Sequence, residues 1–341
     1  MDSLSYTYLG GIVMIRFGVV GTNWITDAFL EAASNIEDFK LTAVYSRASE
    51  KANEFASKYG VETTFTNLEE MAKSDEIDAV YLASPNSFHG KQAVTFLQNK
   101  KHVLCEKPLA SNIREVTLMV EAAKDNNVLL MEAMKSSFLP NFKVIQDNLH
   151  KVGKVRRYFA SYCQYSSRYD AYKQGTVLNA FDPKFSNGSL MDIGIYCLYP
   201  LIVLFGKPLE VKASGVLLET GVDGEGSVLL RYKDFDAVVM YSKITNSSLP
   251  SEIQGEEGNM VIDKINIPEK VEIQYRNGSV EDLTETQSEL SMYYEAKQFI
   301  ELIQAGKTES PINSFENSLT VMEVMDEVRK QIGVVFPNDN S

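Results

Sequence analysis

The fold is decided by the stretch Ile15-Arg16-Phe17-Gly18-Val19-Val20-Gly21-Thr22-Asn23-Trp24-Ile25-Thr26, an apolar run followed by a glycine turn and the start of a helical pattern. Dinucleotide-binding proteins hold a pyrophosphate at such a turn, because glycine lets the backbone approach and the helix N-terminus donates amides. The usual G-x-G-x-x-G is incomplete here, since Asn23 and Thr26 replace its second and third glycines. Asparagine tolerates left-handed backbone angles. An ordinary strand-turn-helix connection is the alternative to a cofactor-binding turn made of Gly21, Thr22, Asn23, Trp24 and Ile25.

Apolar runs and helical patterns keep alternating after this turn. Strands are predicted at 41–45, 62–65, 78–83, 102–105 and 128–133, with helices at 26–34, 49–59, 67–73, 88–99 and 112–125. Six strand-helix units predict a doubly wound parallel (Rossmann) sheet over residues 14–134. Beyond it, longer β-rich runs with hairpin-like breaks predict an α+β domain over 135–341, built on a largely antiparallel open sheet. Helices at 190–205, 292–305 and 316–332 are expected to cover one face of that sheet.

Composition excludes several classes of function. The chain has 341 residues, with 33 Lys+Arg against 46 Asp+Glu, and this net charge of −13 argues against a nucleic-acid partner. The three cysteines and three histidines lack metal-ligand spacing, so no metal site is predicted. The odd number of cysteines suggests no disulfide framework, so a reducing compartment fits best and a cytoplasmic protein is expected. No run is expected to reach the ~18 apolar residues of a membrane span. Residues 1–13 lack the basic start of a signal peptide and are interpreted as a poorly packed N-terminal extension.

The end of the second predicted strand bears on the choice of cofactor. NAD enzymes usually place a carboxylate there for the ribose hydroxyls, whereas this chain has Ser46 and Arg47, with Lys51 one helical turn later. A hydroxyl and a guanidinium would bind a 2′-phosphate that a carboxylate would repel. The sequence therefore favours NADP over NAD, with a solvated cation at a strand end as the alternative.

Two further strand ends carry candidate residues. The loop after the fourth strand contains Ser84, Pro85, Asn86 and His89, at the edge where doubly wound sheets bind ligands. Pro-Asn is also ordinary turn chemistry. The next strand ends in Glu106-Lys107, where a lysine faces the same edge, and a surface lysine before a turn is the alternative.

Together with the segment 188–196, these motifs resemble the glucose-fructose oxidoreductase, inositol dehydrogenase and rhizopine-catabolism (Gfo/Idh/MocA) family of nicotinamide-dependent oxidoreductases. The resemblance runs from residue 14 to 337 and is most specific in Glu106-Lys107-Pro108 and Asp192-x-Gly194-x-Tyr196. It implies that Lys107 is a catalytic lysine beside the nicotinamide, that Glu106 positions it or the cofactor, and that Asp192 lies in the substrate pocket. Tyr196 groups the chain with dihydrodiol-dehydrogenase-like members, in which this tyrosine moves a proton. The family's triple glycine is replaced by Asn187-Gly188-Ser189.

The residues themselves agree with this chemistry. Oxidation of a secondary alcohol needs a base for the hydroxyl proton, and a neighbouring ammonium such as Lys107 favours the phenolate form of Tyr196. Asp192 lies four residues before Tyr196, so one helix would direct both to one pocket, with a helix-start carboxylate as the alternative. We therefore expect an NADP-dependent dehydrogenase or reductase of a sugar, polyol or cyclic diol. A homodimer or higher homo-oligomer is expected through the uncovered sheet face. The alternatives are a non-enzymatic NADP-binding regulator and an enzyme that returns its hydride to the same substrate.

Overall fold

The computed structural model describes residues 7–9 and 12–340, with side chains from Met14 onward. Two compact units make up the chain. The first unit contains Met1–Ala110, Arg114–Ala133 and Leu290–Phe315, and the second contains Ser111–Ile113, Met134–Glu289 and Glu316–Ser341.

Each unit is built around one sheet. The strands are β1 (Thr7–Leu9), β2 (Ile12–Val20), β3 (Phe39–Tyr45), β4 (Thr63–Phe65), β5 (Ala79–Leu82), β6 (His102–Glu106), β7 (Leu130–Ala133), β8 (Val155–Cys163), β9 (Glu210–Leu217), β10 (Asp223–Arg231), β11 (Asp236–Ser242), β12 (Ser251–Gly255), β13 (Gly258–Ile262), β14 (Val271–Tyr275) and β15 (Val280–Asp282). The α-helices are α1 (Trp24–Ala33), α2 (Ser49–Lys58), α3 (Leu68–Lys73), α4 (Asn86–Gln98), α5 (Ile113–Asn126), α6 (Pro140–Asn148), α7 (Ser167–Lys173), α8 (Ile195–Phe205), α9 (Tyr293–Gln304) and α10 (Phe315–Ile332).

The first unit has a parallel sheet in the order β4-β3-β2-β5-β6-β7. The chain direction across the sheet reverses between β2 and β5, and such a reversal opens a crevice at the carboxyl ends of the strands. The predicted Rossmann sheet is therefore confirmed. Its buried strands are continuous apolar runs because helices cover both faces. The backbone of β1 adds an antiparallel strand to β2, while the predicted poor packing of residues 1–13 concerns side chains outside the described residues.

The helix predicted at 292–305 forms as α9, but it belongs to the first unit and not to the second sheet. Its Phe299 is fully buried with a ring centroid 5.9 Å from that of Phe17, which also contacts Phe29 and Phe39. The expectation was wrong because the apolar stripe of a helix shows that the helix is buried, and does not show which sheet it covers.

The second unit has a mixed sheet in the order β15-β14-β13-β12-β8-β11-β10-β9, antiparallel except for the pair β8 and β11. The predicted largely antiparallel sheet is thus confirmed. Strands β12 and β15 were not predicted, because Ser251-Glu252-Ile253-Gln254-Gly255 and Val280-Glu281-Asp282 are short and polar.

One face of this sheet is covered by α8, where the buried Tyr158 hydroxyl donates to the Cys197 carbonyl at 2.9 Å. The segment Pro183–Phe205, which ends in α8, is long and apolar enough to cross a membrane by length and composition. However, 72% of the segment's apolar window is buried inside the protein, as in the core helix of a globular fold.

Candidate active site

The turn after β2 lies directly against the end of β5. Gly21 has φ +110°, and a Cβ placed on it would come within 2.7 Å of the Ala83 carbonyl oxygen. Both the backbone angle and the lack of space require glycine at this position. The first glycine of the predicted cofactor turn thus has a structural reason.

Asn23 and Thr26, which replace the second and third glycines of the pattern, stabilise the turn through side-chain hydrogen bonds. The Asn23 side chain caps α1 by accepting from the Ile25 amide at 3.0 Å, and its Nδ2 donates to the Ala83 carbonyl at 2.8 Å. The Thr26 hydroxyl donates to the Gly21 carbonyl at 3.0 Å. Side-chain hydrogen bonds therefore fix this turn.

The same turn fits a bound pyrophosphate. Within the described chain, the backbone amides of Asn23 and Trp24 meet no protein acceptor, and both residues are exposed. They precede and open α1, where the helix dipole favours an anion. Asp27 in the first helical turn is engaged elsewhere, by the Lys58 ammonium at 2.6 Å and the Tyr59 hydroxyl at 2.5 Å. The residues present therefore fit the diphosphate of a dinucleotide.

Basic side chains lie beyond the end of β3, as the sequence predicts. The Arg47 guanidinium stands over the Phe88 ring, 5.8 Å from its centroid, and both Arg47 and Lys51 are exposed. Neither cation pairs with a carboxylate in the described part of the chain. Ser46 is held to β4, since its amide donates to the Phe65 carbonyl at 3.1 Å. A 2′-phosphate would find a hydroxyl and two cations here.

The loop between β5 and α4 is braced by His89. Its buried ring places Nε2 2.7 Å from the Ser84 carbonyl oxygen and Nδ1 3.0 Å from the Pro108 carbonyl oxygen. Burial lowers the pKa of His89, and the Lys107 charge lowers it further. The histidine predicted to bind cofactor thus joins the loop after β5 to the residue after Lys107. Ser84 donates its hydroxyl to Gln92 at 2.6 Å, while Pro85 precedes Asn86, the first residue of α4.

Glu106 and Lys107 stand at the end of β6. The Glu106 carboxylate is buried and accepts from the Tyr81 hydroxyl of β5 at 2.5 Å. Burial and this carboxylate raise the pKa of Tyr81 well above its ordinary value, so the phenol remains a donor. Lys107 follows, half-buried, with a cis peptide bond to Pro108. Tyr81 therefore fixes the residue before the lysine, a contact that the sequence did not reveal.

In the second unit, Asp192 lies on a π-helical turn, Leu190–Gly194, that leads into α8. Such turns are rare and are often found at functional sites. Gly188, before this turn, has φ +146°, and a Cβ there would meet the Asp223 carboxylate at 2.3 Å. Asp223 in turn accepts from the Leu190 amide at 2.7 Å. Gly188 is thus the residue of Asn187-Gly188-Ser189 that must be glycine.

The sequence did not identify the partner of Asp192. Its carboxylate forms an ion pair with the ammonium of Lys243, the residue after β11, whose side chain is almost fully buried. The Lys243 ammonium also lies 5.3 Å from the centroid of the Phe181 ring. Three separate segments thus meet at this point. No local pattern marks Lys243, since a lysine after a strand is ordinarily solvated.

Tyr196 occupies the first turn of α8 and is half-buried. The Tyr162 ring meets it edge-on, with centroids 5.8 Å apart. The Tyr162 hydroxyl is directed to Gln164, to which it donates at 3.1 Å. Asp192 and Tyr196 belong to the second unit and Lys107 to the first, so their joint action on one substrate stays a prediction.

Both units of the chain match known protein families. Residues 15–134 match the model of an oxidoreductase family with an NAD-binding Rossmann fold, and residues 148–261 match the GFO/IDH/MocA C-terminal domain. The chain is 59% identical to scyllo-inositol 2-dehydrogenase (NADP(+)) IolU of Bacillus subtilis, over 96% of this chain and 100% of that protein. It is 32% identical to trans-1,2-dihydrobenzene-1,2-diol dehydrogenase of Danio rerio, over 96% and 99%.

Among solved structures, KijD10, a 3-ketoreductase from Actinomadura kijaniata in complex with NADP and TDP-benzene, superposes with a TM-score of 0.83. The match covers 94% of this chain and 98% of that one, at 23% sequence identity. At this identity the likeness shows the shared fold.

Proposed function

Because the chain belongs to the Gfo/Idh/MocA family of oxidoreductases, we propose that it oxidises a secondary alcohol of a cyclic polyol with NADP, and that scyllo-inositol is its substrate. The observation that carries this proposal is the 59% identity, across 96% of the chain, to an NADP-dependent scyllo-inositol dehydrogenase. The predicted family and reaction class are confirmed by the same relatives. The identity of the polyol is the proposed part.

The first unit supplies the residues for the cofactor. When bound, NADP accepts or returns a hydride at C4 of its nicotinamide. The amides of Asn23 and Trp24 would hold the diphosphate, and Ser46, Arg47 and Lys51 would hold the 2′-phosphate. This assignment agrees with the NADP(+) dependence of the relative that is 59% identical to this chain.

We assign the proton chemistry to Lys107 and Tyr196. The Lys107 ammonium would donate to the substrate oxygen and stabilise the alkoxide that develops before hydride leaves. The Tyr196 phenolate would take the hydroxyl proton during oxidation, and the resulting phenol would return it during reduction. Asp192 would accept a hydrogen bond from a neighbouring hydroxyl of the polyol, which orients the ring.

The test is a panel of substrates and cofactors in which turnover is monitored by the nicotinamide absorbance. Scyllo-inositol, myo-inositol, D-xylose and trans-cyclohexane-1,2-diol are each offered with NADP and with NAD. We expect the highest kcat/KM for scyllo-inositol with NADP. A preference for the sugar or the diol would contradict the proposed polyol. Binding of NADP with no turnover on the panel would favour the non-enzymatic regulator, and cofactor that survives purification would favour internal hydride return.

We also propose that the protein is a homodimer or a multiple of it, formed through the sheet face opposite α8. The strand register aligns Leu229, Val238 and Phe159 in one row across β10, β11 and β8, and Leu229 is exposed. A monomer would leave this apolar row in water. Light scattering of the wild type should give twice the chain mass or a multiple, and Leu229→Glu should give the monomer mass. A monomeric wild type would contradict the proposal.

The cytoplasm is the proposed compartment. It is supported by the free thiols of Cys105, Cys163 and Cys197, which suit a reducing environment. Cell fractionation with an antibody against the protein tests this assignment, and recovery in a secreted fraction would contradict it.

A further inference from the structure

Lys243 is held rigidly in the second unit. Its backbone amide donates to the Gly224 carbonyl at 2.9 Å, and its own carbonyl accepts from the Ser166 amide at 2.8 Å. The side chain is only 4% exposed. A buried ammonium is costly unless an anion compensates it, so its partners decide what it does.

The ammonium has neighbours on several elements. Asp192 of the π-helical turn forms the ion pair, and the Phe181 ring lies 5.3 Å away. Phe181 packs in turn against the rings of Tyr169 and Tyr172, with centroid distances of 5.7 and 5.5 Å. Asp223 of β10 is the second carboxylate whose charge interacts with Lys243. The buried ammonium thus lies near an aromatic cluster and interacts electrostatically with two acids.

The ion pair between Lys243 and Asp192 is asymmetric. The Asp192 side chain is 36% exposed, whereas that of Lys243 is 4% exposed. In an ordinary surface pair of the same unit, Lys207 with Glu323, both side chains are more than half exposed. Such pairs contribute little because solvent screens both charges. In the buried pair, the lysine supports the carboxylate from the protein side, and solvent or a ligand reaches the carboxylate from the other side.

From this arrangement we propose that Lys243 is a positioning residue that keeps Asp192 ionised and in one orientation, so that Asp192 accepts a hydrogen bond from a substrate hydroxyl. The inference rests on the proposed function, because it presumes a polyhydroxylated substrate. It assigns a task to a lysine that lies outside the motifs of the sequence. An ionised carboxylate accepts more strongly than a protonated one, and a fixed one loses less entropy when it binds.

The experiment compares Lys243→Met, which keeps the length and removes the charge, with Lys243→Arg, which keeps the charge. We expect Lys243→Met to raise KM for the polyol about tenfold with a smaller change in kcat, as for lost uniform binding. The acidic limb of kcat/KM should move to higher pH by about one pH unit, since a carboxylate without its cation is protonated more readily. Lys243→Arg should restore the limb, and Lys207→Met, which breaks the exposed pair, should match the wild type.

Two further variants separate the proposal from a structural role. In an Asp192→Asn background, Lys243→Met should add little to the KM defect, because the two residues act as one. Asp223→Asn should leave the acidic limb in place. The proposal would be overturned if Lys243→Met adds its full KM defect to that of Asp192→Asn, or if Asp223→Asn shifts the acidic limb of kcat/KM. An unchanged KM and pH profile in Lys243→Met would also overturn it.

Folding of each variant is checked by its unfolding midpoint. If Lys243→Met alone does not fold, the doubly neutral Asp192→Asn, Lys243→Met protein carries the test, because it leaves no unpaired charge of this pair. Its KM should then equal that of Asp192→Asn, and a larger KM would overturn the proposal. If the proposed function itself is wrong, the wild type will not turn over a polyol, and this outcome is distinct from a failure of the Lys243 proposal.

Discussion

The strand-end residues of the first unit and the Asp192–Lys243 pair of the second unit are built in different ways. In the first unit, side chains at the strand ends are tied to backbone carbonyls: Asn23 donates to Ala83, and His89 contacts Ser84 and Pro108. In the second unit, Lys243 meets an aspartate 51 positions earlier. The first arrangement relies on backbone carbonyls at the edge of the parallel sheet, whereas the second relies on two side chains that tertiary packing brings together.

This difference has a functional consequence. A dinucleotide makes the same demands in every relative, so short local motifs suffice for it. A substrate pocket is assembled from side chains of separate segments, and exchange of one of them changes specificity and leaves the fold intact. We therefore expect variants at the strand ends of the first unit to affect the chemistry and the cofactor, and variants of the Asp192–Lys243 pair to affect substrate binding.

The largest effect is expected for Lys107→Ala. Loss of the ammonium that would stabilise the developing alkoxide should lower kcat about 10³-fold. The Kd for NADP should change little, because the diphosphate and 2′-phosphate contacts remain. Steady-state kinetics and cofactor titration measure the two quantities. The control is Lys91→Ala, an exposed lysine of α4 in the same unit, which should behave as wild type. Comparable losses in both variants would show that Lys107 has no special part.

Tyr196→Phe tests the second unit's contribution to the chemistry. It removes the hydroxyl and keeps the ring against Tyr162, so kcat should fall about 10²-fold with the fold unchanged. The matched control is Tyr162→Phe, which removes a hydroxyl that donates a hydrogen bond to Gln164. If Tyr162→Phe loses as much turnover as Tyr196→Phe, the proton would have to be assigned to another group.

The sequence predicted the fold where burial leaves a continuous pattern. The parallel strands are apolar runs bounded by turn residues, so their positions were found within a few residues. Strand β12 was missed because Ile253 is its one fully buried apolar side chain, and its pairing with β8 is long-range. Helix α9 was found but assigned to the wrong sheet.

The same reasoning holds for the candidate site. Glu106-Lys107 and Ser46-Arg47 could be predicted because each pair stands at a strand end that the pattern locates. Lys243 could not be predicted, since its burial depends on Phe181 and Asp192 arriving from other segments. The π-helical turn was also missed, because an apolar run does not distinguish a π from an α turn.

Asp223→Asn examines the packing beneath the π-helical turn. Burial raises the pKa of Asp223 to about 6, from an ordinary value of 3.8. The folded protein therefore holds this proton more tightly than the unfolded chain, so the contribution of Asp223 to stability is present at low pH and is lost as the pH rises from about 4 to 6. Asparagine does not titrate. Relative to the wild type, the variant should gain about 2 kcal/mol of unfolding free energy between pH 4 and pH 7.

Urea unfolding of both proteins at the two pH values measures this difference, and groups common to both cancel. A constant gap between wild type and variant would mean that Asp223 has the same pKa in the folded and unfolded states. The supposed burial of its charge would then be wrong.

The smallest effect is expected at the cofactor's 2′-phosphate, and it tests whether a motif read from sequence decides binding. Arg47→Ala removes one charge-assisted contact, so the Kd for NADPH should rise about tenfold while that for NADH is unchanged. Titration of cofactor fluorescence measures both without turnover. Lys40→Ala is the matched control, because Lys40 is an exposed cation near the opposite end of β3. Equal losses of affinity for NADPH and NADH would mean that Arg47 contacts a portion of the dinucleotide that both cofactors share. If Lys40→Ala weakens NADPH binding as much as Arg47→Ala does, the effect of Arg47 would be general electrostatic attraction and not a contact with the 2′-phosphate.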